Sequence, residues 1–345
     1  MNMRRQSRVY RRLSATALLA SAGLLISSCS QPVADTPDMG KATPFASPVS
    51  ENPDGKVIAL PAGQDEVIDM EVATGDILGL RTAQTLSIGT VTQIEKGEAQ
   101  QLDVDKQCGD LTATGDTFLL PCADGVYFID AAQPNLDNLH ATETPVTVAA
   151  LTTDGELLVG NDQDASLTIY REGEDPETFK VDAPNTQLIA VPVNERHDAV
   201  VRTWNENTTI QDIDYPNDKM GATLRVGLGV GQMAGGEDGL LVVSDEIGGQ
   251  IAIYNADDVI RLQMTAPVDD HPWAVAWDST NALAWITSLA ENSLVGYKIS
   301  AGVPEEQQRF STVSDAQNIV VLSDATLVAA SATGAGLQVI NTQAS

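Results

Sequence analysis

The stretch Thr147-Val148-Ala149-Ala150-Leu151-Thr152-Thr153-Asp154-Gly155-Glu156-Leu157-Leu158-Val159-Gly160 sets two apolar runs on either side of an Asp-Gly turn. That arrangement is a hairpin signal, because Asp-Gly tolerates the positive φ that a tight turn between twisted strands requires. A third run, Ser166-Leu167-Thr168-Ile169-Tyr170, follows the loop at 161–165, and a fourth covers 177–181. The segment reads as four consecutive strands of one antiparallel sheet. Its third strand recurs along the chain as Ser87-Ile88-Gly89-Thr90-Val91, Gly125-Val126-Tyr127-Phe128-Ile129, Thr208-Thr209-Ile210-Gln211-Asp212, Gln250-Ile251-Ala252-Ile253-Tyr254, Ser293-Leu294-Val295-Gly296-Tyr297 and Gly336-Leu337-Gln338-Val339-Ile340. The runs end at 91, 129, 170, 212, 254, 297 and 340, in steps of 38 to 43 residues. A period near 40 built from short strands is the pattern of propeller blades.

The final unit lacks its fourth strand, since only five residues follow Ile340. An unassigned strand, Lys56-Val57-Ile58-Ala59-Leu60, stands before the first complete unit. The two facts fit together if that strand completes the last blade and removes the open sheet edges. The expected fold is all-β, a seven-bladed β-propeller over residues 56–345. A pair of β-sandwiches explains the short strands but not the constant step. With 4% aromatic and 43% hydrophobic residues, the core must be made of Val, Ile, Leu and Ala, which suits sheets packed face to face. In the fourth unit the last strand is expected to run into Gly227-Leu228-Gly229-Val230-Gly231.

The formal charge is -29 over 345 residues. The first 28 residues hold five arginines and no acid, so the remainder carries -34. Such a surface repels nucleic acid and anionic head groups and favours solubility or cationic partners. Those arginines precede the apolar residues Leu13–Ala20 and Leu24-Leu25-Ile26, the layout of an export signal too short for a mature transmembrane helix. Ile26-Ser27-Ser28-Cys29 resembles the bacterial lipobox. The resemblance implies cleavage before Cys29, acylation (palmitate among the chains) of that residue, and anchoring to the extracytoplasmic face of the cell membrane, for which two or more acyl chains suffice. The pairs Arg4-Arg5 and Arg11-Arg12 raise a twin-arginine route, though the residues after them fit it poorly. Residues 29–55 carry five prolines among small polar residues and read as a tether with too little apolar surface to order itself.

Two cysteines remain, Cys108 and Cys122. Their midpoint falls on the turn Gly115-Asp116, between the runs 110–114 and 117–122. An antiparallel hairpin sets them across from each other, and disulfides persist in exported proteins. A Cys108–Cys122 disulfide is therefore expected.

The sixth unit carries Pro272-Trp273-Ala274-Val275-Ala276-Trp277-Asp278, Leu283-Ala284-Trp285-Ile286-Thr287 and Asn292-Ser293-Leu294-Val295. It resembles the repeat of bacterial YVTN-type propellers, which group with quinoprotein-like and lactonase-like seven-bladed proteins. The whole chain resembles lipid-anchored propellers of actinobacteria. These resemblances imply a fold and an envelope address, and carry no catalytic motif. Propeller ligands bind where the connections between blades and between each second and third strand form the channel mouth. The period assigns Arg81, Asp162, Arg202, Trp204, Asp245, Asp270, His271 and Asn318 to that rim, along with Glu66, Asp110 and Asn205. Arg81 and Arg202 together suit bidentate binding of a carboxylate or phosphate, or each pairs with a neighbouring rim acid. His271, next to Asp269 and Asp270, has the chemistry of a base or ligand. Trp277 and Trp285 read as packing between blades and Trp204 as a ligand contact. The acidic clusters 161–164 and 212–214 lack full calcium-loop spacing, which leaves at most weak Ca²⁺ binding and no other cofactor. The expected function is a non-enzymatic binding or scaffold module for an envelope protein or small molecule. The alternative is a lactonase-like or quinoprotein-like enzyme with its site at the mouth.

Overall fold

A computed structural model of the protein describes residues 39–343. The expected signal segment and Cys29 lie outside the described residues. Seven four-stranded antiparallel sheets make the seven blades of a ring. Strand β1 (Lys56–Ile58) comes first. Blade 1 follows with β2 (Asp69–Ala73), β3 (Ile77–Arg81), β4 (Thr85–Gly89) and β5 (Gln100–Asp103). Blade 2 holds β6 (Thr112–Thr114), β7 (Thr117–Cys122), β8 (Gly125–Asp130) and β9 (Leu139–Ala141). Blade 3 holds β10 (Val148–Leu151), β11 (Leu157–Gly160), β12 (Ser166–Tyr170) and β13 (Glu177–Lys180). Blade 4 holds β14 (Gln187–Val191), β15 (Ala199–Trp204), β16 (Thr209–Asp214) and β17 (Lys219–Arg225). Blade 5 holds β18 (Val230–Gly235), β19 (Leu240–Asp245), β20 (Gln250–Asn255) and β21 (Arg261–Pro267). Blade 6 holds β22 (Pro272–Asp278), β23 (Leu283–Ser288), β24 (Ser293–Lys298) and β25 (Glu305–Ser311). Blade 7 holds β26 (Ala316–Val321), β27 (Thr326–Ser331) and β28 (Leu337–Asn341), with β1 as its outer strand. The closing pair runs antiparallel with Lys56 opposite Val339 and Ile58 opposite Leu337.

Apolar faces of neighbouring blades meet in continuous clusters. Between blades 6 and 7 the fully buried Trp285 stacks on Phe310, with ring centroids 5.9 Å apart, and packs beside Leu327 and Ala329. Trp277 packs against Val242 and Ala234 of blade 5 while lining the channel. Both rings are inter-blade packing, as their strand positions imply.

The ring departs from the sequence expectations in three places. The third strand of blade 1 stops at Gly89, two residues early, and a short helix, α1 (Val91–Lys96), leaves it. Thr90 caps that helix through its hydroxyl to the Gln93 N–H, and the Gln93 side chain returns to the Thr90 N–H, a capping box. In blade 4 the outer strand ends at Arg225; Gly227, Leu228 and Gly229 belong to the link to blade 5, and Val230 and Gly231 open the first strand of that blade. Asp245 explains the glycine: its carboxylate sits where a Cβ at Gly227 would lie, 1.6 Å away, and Gly227 has φ +47°.

The third departure is the Pro-rich segment. Its described part, from residue 39 to residue 55, is held along the ring as a strap. Gly40 N–H donates to Leu228 O at 3.0 Å, and Ala42 is buried beside Trp273 and Trp285. Ser47 N–H donates to Asp315 at 2.8 Å, and Asn292 and Ser314 donate to Pro48 O at 2.9 and 3.0 Å. Asp54 then bridges blades, taking a hydrogen bond from Gln338 on its carbonyl at 2.7 Å and donating its N–H to Ser311 O at 2.9 Å. Polar bonds to the rim, with Ala42 buried among apolar side chains, order this segment. Among the described residues no helix is long and apolar enough to cross a membrane.

Candidate functional site

Strand β2 places Asp69 and Glu71 two residues apart, and the period of a strand sends such side chains to one side. Both line the central channel. Arg81, the last residue of β3, lies opposite Asp69 in the β2–β3 register. Asp110 enters from the link between blades 1 and 2. Several contacts fix that link. Arg81 donates through Nη1 to Gly109 O at 2.6 Å and through Nη2 to Cys108 O. Cys108 is bonded to Cys122 at the end of β7, with the two Cα atoms 4.1 Å apart. A Cβ on residue 109 would lie 1.8 Å from Thr147 O, so only glycine lets the link pass. The Asp110 N–H donates to that same carbonyl at 2.8 Å, and the Leu111 N–H donates to Asp69 at 2.6 Å.

Asp69 and Asp110 thus lie beside one guanidinium, with Glu71 next to Asp69 on the channel wall. Burial pushes Glu71 up to about 8, and the neighbouring Asp69 adds to the shift. Burial raises Asp69 too, offset in part by the Leu111 N–H and by Arg81. Burial and the charges of Asp69 and Glu71 push Asp110 well above the ordinary carboxylate range, against Arg81. Removing charged groups from water disfavours their ionised forms, and like charges at close range add to the effect. Burial lowers the Arg81 guanidinium, opposed by Asp69 and Asp110.

Above these carboxyls the mouth opens as a cavity of about 580 Å³, and below them the channel holds a further cavity of about 290 Å³. Asp69, Asp110 and Gln232 line both, so the two spaces meet there. Trp204 and Asp162 stand on the mouth wall, with Thr147, Asn185 and Asn205. Asn185 is 0% exposed and Asn205 9%. Their side-chain carbonyl oxygens, the Thr147 hydroxyl and Arg81 Nε are buried without a hydrogen-bond partner. These atoms have no accessible surface, so they lie behind the cavity wall rather than facing it.

Of the residues the period assigned to the rim, Arg81, Asp110, Asp162, Trp204 and Asn205 share this cavity. Asn318 lines the channel and donates to Val67 O at 3.0 Å. The others lie elsewhere. Arg202 is fully enclosed; it donates to Gln211 at 2.8 Å and to Pro184 O, and burial lowers it to about 10. The two arginines do not face one mouth, because Arg202 is drawn into its own blade's entry. Asp245 is buried and accepts the N–H groups of Leu228, Gly229 and Gly248 at 2.8–3.0 Å, which holds the link to blade 5. His271 is 2.6 Å from Glu246 through Nδ1 and stacks on Phe45 of the strap at 4.1 Å. Asp270 lines a separate rim cavity with Asp269, Glu291 and Arg309. Asn161, in the cluster at 161–164, accepts the N–H groups of Gln163 and Asp164. Among the described residues no group of three or more His, Cys, Asp or Glu is placed to hold a metal ion.

Position along the repeat put Asp110 and Asn205 in rim connections but passed over Asp69 and Glu71. The available signal was their two-residue spacing among Met70, Val72 and Ala73, which turns acids toward the channel.

By sequence, no family model matches the chain, and no curated protein matches it either. By structure, it is similar to a chain from a crystal structure of a mitotic checkpoint complex, with TM-score 0.64 and 13% identity over 96% of this chain and 98% of that one. It is also similar to streptogramin B lyase, with TM-score 0.63 and 11% identity over 83% and 96% of the two chains. The Cps50 (Swd1) propeller domain of Myceliophteria thermophila matches with TM-score 0.61 and 11% identity over 83% and 99%. The likeness is one of fold. Propellers of this shape include a lyase and members of assemblies, and site chemistry has to be argued from the residues themselves.

Proposed function

We propose that the chain is a cell-envelope lipoprotein whose propeller binds a ligand at the channel mouth without transforming it. The observation that supports this is the mouth's construction: a cavity whose walls are fixed by a disulfide, by Arg81 and by the Gly109–Thr147 crossing, and which is lined by Asp110, Asp162 and Trp204. A preformed concave site with a few convergent polar groups is the usual form of a small-ligand pocket. None of the three histidines lines it. The imidazole with the most suggestive neighbours, His271, is engaged by Glu246 and covered by Phe45.

Anchoring at Cys29 would act on this site directly. Among the described residues the strap's backbone bonds the ring from Gly40, eleven residues after Cys29. Eleven residues reach about 40 Å at most, so the lipid would keep that edge of the mouth close to the membrane surface. The test is fractionation of cells expressing the full chain and its Cys29→Ala variant, with a photo-cross-linker at position 204. The expected outcome is membrane retention of the first, release of the second, and a discrete adduct from the mouth. Equal membrane retention of both would sink the anchor.

One observation favours an enzyme of lactonase-like or quinoprotein-like type. Perturbed carboxyls in a cleft are candidates for acid–base work, and Glu71 titrates near neutrality. A screen of lactones, sugar phosphates and amines decides: turnover abolished by Glu71→Gln would replace the binding reading.

A further inference from the structure

We infer that the Gly40-Lys41 step of the strap is a releasable clamp on the mouth. It holds the turn at 205–208, and through it Trp204, in the wall that blade 4 gives to the cavity. The clamp concerns the same mouth but is read on the wall itself, so it does not depend on what binds there.

The turn is strained. Strand β15 ends at Trp204, and a single 3₁₀ turn, Asn205–Asn207, leads into Thr208 at φ +53°. A β-branched residue rarely adopts that left-handed region and keeps it only where its surroundings impose it. The bonds that hold Thr208 from outside its own turn come from the link between blades 4 and 5. The Thr208 hydroxyl donates to Val226 O and accepts the Val230 N–H at 3.0 Å, and the Thr208 carbonyl accepts the Val226 N–H at 2.8 Å. The position of Trp204 therefore depends on two connections staying together, the turn and the link.

Two consecutive strap residues cross that pair of connections. The Gly40 N–H donates to Leu228 O in the link at 3.0 Å, and the Lys41 ammonium pairs with Glu206 in the turn at 2.8 Å. Lys41, Glu206 and Trp204 line the mouth cavity together. The link is fixed from its other side as well, since Asp245 accepts the N–H groups of Leu228 and Gly229. The turn is held at its start by the Asn205 N–H on the Thr186 hydroxyl at 3.1 Å and at its end by Thr208. Between them Glu206 stands exposed, with Lys41 as the partner of its side chain. The strap thus ties the less supported connection to the better supported one. This tie is also the weaker part of the strap. Both members of the ion pair are exposed, and exposed pairs hold weakly. The residues that follow are seated more firmly: Ala42 is buried in the cluster of Trp273 and Leu289, and Phe45 stacks on His271. Release can begin upstream of Ala42 while the rest of the strap stays on the rim.

The test is hydrogen exchange of the full chain, read by mass spectrometry on peptides spanning 204–210 and 224–231. The corresponding connection of blade 3, at 161–165, is bonded within itself through Asn161 and is the internal control. Lys41→Glu sets a like charge against Glu206. Gly40→Pro removes the N–H given to Leu228 O. Lys41→Glu combined with Glu206→Lys restores the pair with its charges exchanged. The expected result is that each of the first two variants speeds exchange at 205–208 by about threefold or more, the scale of one exposed ion pair or hydrogen bond. The control peptide should not change, and the charge-exchanged pair should return the rate toward the native one. Acrylamide, a neutral quencher, should reach Trp204 more readily in Lys41→Glu, taken as the difference from the same variant carrying Trp204→Phe. Native exchange rates at 205–208 in either Lys41→Glu or Gly40→Pro would show that Thr186 and Thr208 hold the turn unaided, and would overturn the inference. So would a rise that appears equally in the control peptide, or a charge-exchanged pair as fast as Lys41→Glu alone.

Discussion

A carboxyl that titrates near neutrality leaves a signature in stability. Glu71 has a folded value of about 8 against an ordinary 4.5, so between those limits the native state holds a proton that the unfolded chain has released. Its contribution is full below about pH 4.5 and is lost as pH rises through 8. Asp69 and Asp110 are shifted in the same direction, so they add to the slope. Thermal melts should show the native chain losing stability from about pH 5 to about pH 9. Glu71→Gln should flatten that slope and exceed the native chain at high pH by at least about 1.4 kcal/mol, the worth of one unit. A native chain equally stable at both pH values would show that the carboxyls ionise freely. Reading the repeat brought Arg81, Asp162 and Trp204 to one cavity because each stands at a connection, whose place the period determines. It could not separate Arg202 from Arg81. Both sit near the end of a second strand, but Arg202 finds Gln211 and Pro184 O within its own blade while Arg81 reaches forward to the next link. Such choices depend on neighbours about 10 to 30 residues away, and no local pattern carries them.

At the scale of the element, the link from blade 1 to blade 2 does the most for the site. It carries Asp110, it accepts the Arg81 guanidinium on two successive carbonyls, and it is stapled to the end of β7 by Cys108–Cys122. Breaking the staple should cost about 3 kcal/mol for a loop of this length. Replacing both cysteines by serine should lower the urea midpoint accordingly and weaken ligand binding at the mouth. Reductant should shift the native chain's midpoint and leave the double variant's unchanged; insensitivity of both would remove the disulfide from the account. This staple was legible because the two cysteines flank a turn whose centre the hairpin itself marks. The capping box Thr90-x-x-Gln93 was legible too, yet the strand period ran straight across it to Val91. The strap was hidden for a different reason. Its order comes from hydrogen bonds between its backbone and rim side chains such as Asn292, Ser314 and Asp315, and a composition rich in proline and small polar residues does not display them.

At the scale of the molecule, the ring closes through three strands from one end of the chain and one from the other. Strand β1 covers the outer edge of β28. Before it, Asp54 joins blade 6 to blade 7: its N–H donates to Ser311 O, and its carbonyl accepts the Gln338 side-chain amide. Upstream again, the strap lies against Leu228, His271 and Asp315. These layers separate what closes the ring from what dresses its mouth, and shortened chains divide them. A chain beginning at Glu51 loses the strap and keeps Asp54 and β1. It should stay folded with a melting temperature lower by a few degrees, since the lost contacts are mostly half-buried and exposed polar bonds worth about 1 kcal/mol each. A chain beginning at Leu60 leaves β28 with an unpaired edge of alternating apolar residues, which invites pairing with other chains. It should aggregate or melt at least about 10 °C lower, as read by light scattering and circular dichroism. A chain from Leu60 as stable and monomeric as the one from Glu51 would mean that the three C-terminal strands hold the ring without their N-terminal partner.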